Sequence, residues 1–142
     1  MLFGISIESE TGSKIVFDTE EKFELIKGVS IFVDTIDDDV RDKSDALSTK
    51  VIIKGAIVGE SMERVKEIFE WSLDTNQNTC YRTVEVDVFD NKVRLRHYVL
   101  KKMFVVDYKE IYDTDGNKNE KSYFELYLTQ KKGFLDTIDT YI

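Results

Sequence analysis

The feature that most constrains the fold is a long block of alternating residues at positions 83–131. Apolar and polar side chains alternate over residues 84–88 and again over residues 93–99, with a tight turn at Asp90-Asn91 between them. Two more strand-like runs follow, at residues 103–112 and 122–130. Alternation with a period of two, interrupted by turn residues, is typical of antiparallel strands with one buried face. The block therefore predicts a β-rich domain.

Shorter strands are predicted on the N-terminal side of that block. They cover residues 2–7, 14–17, 22–26, 29–33 and 50–58. One helix is predicted over residues 61–73, because Ser61 is a suitable N-cap and the apolar Val65, Ile68 and Phe69 share one helical face. The tail at residues 134–142 can add a last helical turn or a strand.

Residues 34–48 differ in character from the rest of the chain. This segment contains six aspartates, offset only by Arg41 and Lys43. We interpret it as an extended loop, and loops of this length in a compact domain are usually functional or ordered by a partner. Three alternatives stay open: a solvated acidic loop, an arm that docks on an adjacent subunit, and a calcium site. The last fits least well, because the spacing matches no known ligand loop.

Composition limits the classes of partner and compartment. The 142 residues fit one domain, which we assign to residues 1–142 as a whole. A net charge of −8 argues against nucleic-acid binding, since neutralising phosphates requires clustered Lys and Arg. No apolar run approaches the roughly 20 residues of a membrane helix, and the N-terminus lacks the basic flank of a signal peptide. We therefore expect a cytoplasmic protein that does not insert into membranes.

Candidate catalytic groups are few. His97 is the sole histidine and Cys80 the sole cysteine, and no nucleophile signature surrounds either of them. A zinc protease of the HExxH type needs two histidines, and neither a G-x-S-x-G elbow nor a phosphate-binding glycine loop occurs. The aspartate-rich turn at residues 113–117 also departs from calcium-loop spacing. We therefore predict a protein without catalytic activity, bound cofactor or metal.

The order of the elements carries a family resemblance. The strand at residues 50–58 leads into a short helix that ends in IFEWSL, and the hairpin at residues 83–100 follows. A strand with the sequence VVDYKE comes next, and the last strand ends in two lysines. Over residues 48–132 this order resembles the tube-forming family of contractile injection systems. That family includes the haemolysin-coregulated tube protein of type VI secretion and phage tail-tube proteins.

The resemblance implies a mainly β fold with one α-helix. In it, two packed antiparallel sheets form a β-barrel and the helix lies against the side of the barrel. It also implies rings, commonly hexameric, that stack into a tube partly through an extended loop. Residues 35–48 lie where that loop is expected, although they are unusually acidic for the family. A cap or adaptor ring at a tube end would accommodate that difference.

The chain also resembles small proteins labelled "membrane-associated protease" in Firmicute genomes. Neither a membrane segment nor a protease motif in the sequence supports that label.

The expected function is that of a non-catalytic structural subunit of a phage-tail-like or type VI-like tube or ring. The subunit would act by self-association, contact other tail or injection-system proteins, bind no nucleic acid while free, and be found in the cytoplasm or in a secreted or phage-like particle. The alternative is a small binding module, an adaptor or chaperone for such an assembly, and an enzyme ranks third. The predicted subunit contacts are the acidic-loop residues Asp37, Asp38, Asp39 and Arg41 and the strand residues Glu85, Asp87, Arg94 and Arg96.

Overall fold

The computed structural model describes residues 1–19, 24–35, 47–113, 122–132 and 139–141. The strands within these residues are β1 (Leu2–Ser9), β2 (Lys14–Phe17), β3 (Ile26–Thr35), β4 (Leu47–Ala56), β5 (Arg82–Asp90), β6 (Val93–Ile111), β7 (Tyr123–Gln130) and β8 (Asp139–Tyr141). The helix α1 covers Met62–Ser72 and follows a 3-10 turn at Gly59–Ser61. Within the described ranges, no helix is long and apolar enough to cross a membrane.

The strands form one antiparallel sheet. Its order is β2-β1-β5-β6-β7-β4-β3, and β8 also pairs with β6. This architecture differs from the expected pair of packed sheets closed into a barrel. The ladder of hydrogen bonds is continuous from β2 to β3, and these two end strands do not pair with each other within the described part of the chain. The mainly β character with one helix agrees with the expectation.

The sheet is continuous because β6 belongs to both of its halves. This strand has 19 residues; its first part pairs with β5 and its second part with β7. The sequence predicted two strands here, separated near Lys101-Lys102. Instead, Lys102 takes a left-handed conformation with φ of 58°, and Met103 pairs with both Arg82 and Gln130. The ladder therefore changes partner at this point and does not end.

Both halves of the sheet contribute to one hydrophobic core. Ile5, Ile7 and Val86 come from the β1–β5 half, and Ile53 and Leu126 from the β4–β7 half; all five lie in a single cluster of buried residues. In β7 the burial alternates along the whole strand, which is the period expected of a strand with one buried face. The sheet is therefore folded over its own buried face.

The helix closes one side of this core. Val65, Ile68 and Trp71 are buried, and their spacing places them on one face of α1. The Trp71 indole Nε1 donates a 2.8 Å hydrogen bond to the carbonyl oxygen of Cys80, which ties the helix to the chain that leads into β5. At the other flank, the Arg64 guanidinium donates a 3.0 Å hydrogen bond to the Val16 carbonyl of β2.

Both ends of the acidic segment are strand residues. Asp34 and Thr35 end β3, and Leu47 and Ser48 begin β4, with Thr35 paired to Leu47. These residues therefore extend a β-hairpin. Positions 36–46 lie outside the described residues.

Candidate subunit-contact surfaces

The predicted contact residues Glu85 and Asp87 lie on the outer face of β5. Val84 and Val86, with which they alternate, are fully buried in the core. Residues paired across an antiparallel ladder share a face of the sheet. The partners of Glu85 and Asp87 on β6 are Val99 and His97, so these side chains also face outward.

Asp87 is the centre of a small polar cluster on this outer face. Its Oδ1 lies 2.5 Å from the Nδ1 of His97 and 3.8 Å from the Nη1 of Arg94. The His97 side chain is only 16% exposed, so the hydrogen bond to Asp87 satisfies a largely buried ring nitrogen. The structure therefore brings Asp87 and Arg94 together and adds His97, which the sequence analysis considered only as a candidate catalytic group.

Arg96 does not share this face. It pairs with Val88, and its guanidinium carbon lies 4.9 Å from the centre of the Tyr98 ring. Val88 and Tyr98 pack against the core, so Arg96 lies at the rim of the inner face. The cause is a register shift between Val88 and Phe89, which puts an extra residue into β6 and reverses the alternation beyond it. Arg96 is exposed, but it does not belong to the cluster around Asp87.

The other four predicted contact residues belong to the acidic segment. Asp37, Asp38, Asp39 and Arg41 lie outside the described residues.

The two groups considered for nucleophilic chemistry lie far apart. Cys80 precedes β5, whereas His97 pairs with Asp87 near the other end of that strand. Arg82 and Asp87 are five residue steps apart along the strand, a length of about 17 Å. Among the described residues, no group of three or more His, Cys, Asp or Glu side chains could hold a metal ion.

A second polar row crosses the outer face of β4, β7 and β6. Glu125 pairs with Lys54 on one side and with Lys109 on the other, and its Oε2 lies 3.5 Å from the Lys109 ammonium. The Tyr127 hydroxyl donates a 2.6 Å hydrogen bond to the same carboxylate. This hydrogen bond and the neighbouring lysines lower the pKa of Glu125. The row presents fixed alternating charges to solvent.

The two ends of the sheet differ in how they are covered. The outer edge of β2 is contacted by Arg64 of the helix. In the described part of the chain, β3 pairs only with β4, and its side chains include exposed Phe32 (43%) and Val33 (60%). A long strand without a partner on one side is a template for pairing with another chain. The sequence contains no proline, so every residue of β3 has a backbone N–H available for a ladder.

No protein-family model matches the sequence, and no significant match occurs among curated proteins. Solved structures match over nearly the full length. A crystal structure of an Hcp protein has a TM-score of 0.62 at 12% identity, covering 98% of this chain and 97% of that one. Hcp1 from Flavobacterium johnsoniae has a TM-score of 0.58 at 16% identity, covering 96% and 94%.

A third similar structure is a chain from the sheath/tube terminator, in the extended state, of the extracellular contractile injection system PVC. It has a TM-score of 0.57 at 15% identity and covers 99% of this chain and 94% of that one. At sequence identities this low, the structural similarity shows a shared fold. The fold of this chain is that of the Hcp-type tube proteins, as the order of its elements predicted.

Proposed function

We propose that this protein is a non-catalytic structural subunit of a phage-tail-like or type VI-like tube or ring, and that it works by self-association. The observation that supports this most is the match to Hcp and contractile-injection structures over 96–99% of the chain. The match covers nearly the whole chain, so it is not limited to one part of the fold. The residues described contribute to one sheet, one core and one helix.

The geometry of β3 supports association between copies. About every second residue of this ten-residue strand directs its backbone N–H and C=O away from β4, and apolar Phe32 and Val33 are exposed on the same strand. Pairing with a strand of a neighbouring copy would satisfy those groups and cover that apolar surface. The sheet, which ends at β3 within one subunit, would then continue into the next subunit.

Rings in the family that the sequence resembles are commonly hexameric, and we propose that ring size here. The outer-face residues Glu85, Asp87 and Arg94 would contact a neighbour, as would the acidic segment with Asp37, Asp38, Asp39 and Arg41. Arg96, at the inner rim, would contribute only if the neighbour reaches around the end of β6. Other tail or injection-system proteins are the expected further partners, in the cytoplasm or in an exported particle.

A small adaptor or chaperone for such an assembly is the second candidate. The observation in its favour is the exposed apolar surface at α1, which a second protein could cover. Met62 and Phe69 on that helix, and Leu73 directly after it, are 45%, 46% and 64% exposed.

Native mass spectrometry and negative-stain microscopy over a range of concentrations test the proposal. We expect the fraction of protein in rings to rise with concentration. A monomer at every concentration would overturn self-association. To test the edge, Val33→Lys places a charge on β3, which blocks strand pairing. Val93→Lys is the matched control, because Val93 is equally exposed (61%) and lies in β6. Loss of rings only with Val33→Lys supports the β3 contact, and rings with both variants overturn it.

A further inference from the structure

The first part of β6 has two edges, and they are occupied to different degrees. β5 pairs with one edge from Val93 to Met103. On the other edge, β7 pairs only from Met103 onward, and β8 pairs only with residues 97–99. Within the described ranges, residues 94–96 have no ladder partner on that second edge. We name residues 94–99, on the side away from β5, the β6 edge.

The strand β8 covers the β6 edge through a short contact. It contributes the three residues Asp139–Tyr141, and in the described part of the chain it pairs with no strand other than β6. Directly after β7, the Lys131 amide binds the Lys102 carbonyl at 2.8 Å. From Lys131 to Asp139, which pairs with Val99, the chain takes eight residue steps, although three steps along β6 cover the same distance. This excess of chain lets β8 leave the β6 edge while β7 stays in place.

The acceptor for β3 in a ring must be a different edge of the neighbouring copy. Pairing of β3 with β3 is self-complementary and closes as a dimer, whereas a contact between two different surfaces generates a ring. Among the described strands, β2 and β8 offer edges of only four and three residues. Arg64 also binds the outward carbonyl of Val16 in β2. The β6 edge is therefore the longest remaining acceptor for β3.

The residues along β3 and along the β6 edge are complementary. Val33 in β3 is 60% exposed and Leu95 in β6 is 36% exposed, so each strand offers apolar surface to the other. The strands of the sheet pair antiparallel, and β6 accepts β5, β7 and β8 in that orientation. The same orientation would bring the position of Asp34, at the end of β3, towards exposed Arg96. Opposite charges at this end favour the antiparallel register.

We propose that β3 of one copy pairs antiparallel with the β6 edge of the next copy and takes the place of β8. In a free subunit β8 covers this edge, so pairing is limited to subunits in which β8 has left it. The proposal rests on the self-association proposed above, and it adds the acceptor strand and a control of assembly. Val93 lies outside the pairing, because it closes the two-residue turn with Asp90 and its backbone groups face β5.

A reversible disulfide between β8 and β6 tests the control by β8. Val99→Cys with Asp139→Cys, in a Cys80→Ser background, joins two paired positions, whose Cα separation of about 4.5–5.5 Å suits a disulfide. Oxidation should raise the protein concentration needed for rings by about tenfold or more, and reduction should reverse the change. Ser6→Cys with Val16→Cys joins β1 to β2 in the same way and should form rings equally in both states.

Intact mass and non-reducing gels establish that the disulfide lies within one chain. Rings that form equally well from the fully oxidised Val99→Cys/Asp139→Cys protein would overturn the proposal.

A proline in β8 tests the same control in the opposite direction. Thr140→Pro removes a backbone N–H from the middle of the strand, so the β6 edge should be open more often. Rings should then form at a concentration about tenfold lower than for the wild type, and Thr140→Ser should behave as the wild type. Circular dichroism and thermal unfolding establish that each variant is folded. If no protein forms oligomers, self-association itself fails; if all form rings at one concentration, only the control by β8 fails.

Cross-linking between two different chains locates the acceptor. One chain carries Val33→Cys and the other Leu95→Cys, both in the Cys80→Ser background, and a short bismaleimide joins cysteines that come close. Assembled mixtures should give covalent dimers that contain one chain of each kind, and either chain alone should give little dimer. Efficient dimer formation by the Val33→Cys chain alone would show β3–β3 pairing and overturn the proposal. Absence of the mixed product from assembled protein would overturn it as well.

Discussion

The rings of Phe17 and Phe124 lie with their centres 6.0 Å apart, although three strands separate them in the sheet. Phe17 is on β2 and Phe124 is on β7, four strand intervals away. In a flat sheet, four intervals would separate the strands by about 19 Å. The ring contact at 6.0 Å therefore shows that the sheet curves strongly around its core. A chain of ring contacts continues from Phe124 to Tyr108 and then to Phe69 at the surface.

The glycine opposite Phe124 is required for this packing. Gly55 pairs with Phe124 across the β4–β7 ladder, and a Cβ at Gly55 would overlap the Phe124 ring. We expect Gly55→Ala to lower the free energy of unfolding by about 1–3 kcal/mol, since the ring must move out of a packed core. Chemical denaturation measures the change. Gly28→Ala on β3 is the control, because its Cβ would meet no atom within 4 Å; equal losses would contradict this account.

Arg64 is expected to stabilise the edge of β2. Its guanidinium donates to the Val16 carbonyl and lies over the Phe17 ring, 4.9 Å from the ring centre. Arg64→Ala should lower the free energy of unfolding by roughly 1–2 kcal/mol, through the lost charged hydrogen bond and ring contact. Lys66→Ala, two residues away on the exposed side of the same helix, should change it by less than about 0.5 kcal/mol. Hydrogen exchange of the β2 amides should rise only in the Arg64 variant.

The turn between β5 and β6 holds two residues in a left-handed conformation. Asn91 has φ of 49° and Lys92 has φ of 67°, as a two-residue hairpin of type I′ requires. Asparagine tolerates this conformation but lysine does not favour it, so Lys92→Gly should raise the free energy of unfolding by roughly 0.5–1 kcal/mol. Lys101→Gly, inside β6, should lower it by a similar amount. Destabilisation by both variants would show that the turn is not strained.

Tyr108 is expected to make the fold sensitive to alkali. Burial, and then the hydrogen bond to Glu110, raise the pKa of Tyr108 well above its ordinary value of 10.0. Because the folded state holds the proton more tightly than the unfolded state, the stability from this group is complete below pH 10 and falls as the pH rises further.

Unfolding curves of the wild type and of Tyr108→Phe at several pH values test this expectation. The variant should be about 1 kcal/mol less stable at neutral pH, because a hydrogen bond is lost. It should then lose stability more slowly than the wild type above pH 10. Glu110→Gln should retain most of the alkaline loss, since burial is the larger cause. Parallel curves for wild type and Tyr108→Phe above pH 10 would contradict the assignment.

Local patterns in the sequence predicted much of the fold. Burial of Val84 and Val86 follows directly from their alternation with polar neighbours, and the helix was visible in the spacing of Val65 and Ile68. The continuity of β6 was not visible, because Lys101-Lys102 resembles an interruption. Only the partners on both sides show otherwise: the Gln130 side chain and the Lys131 amide bind the carbonyls of Lys101 and Lys102.

The candidate contact face was predicted less completely, for a similar reason. Asp87 and Arg94 could be placed on one face by counting residues along each strand. The position of Arg96 could not, because the register shift opposite Val88 and Phe89 depends on how two strands pair. His97 was not predicted to belong to this polar cluster, because the residues next to it in the sequence do not indicate that it pairs with Asp87 on the adjacent strand.

The single strand β6 has a mechanical consequence. Two layers joined only by side-chain packing can slide or separate along the plane between them. Here the same backbone runs through both halves of the sheet, so separating them requires peeling hydrogen bonds off β6 or stretching its covalent chain. A load on either half is therefore transmitted to the other along β6, and the subunit resists shear as one body.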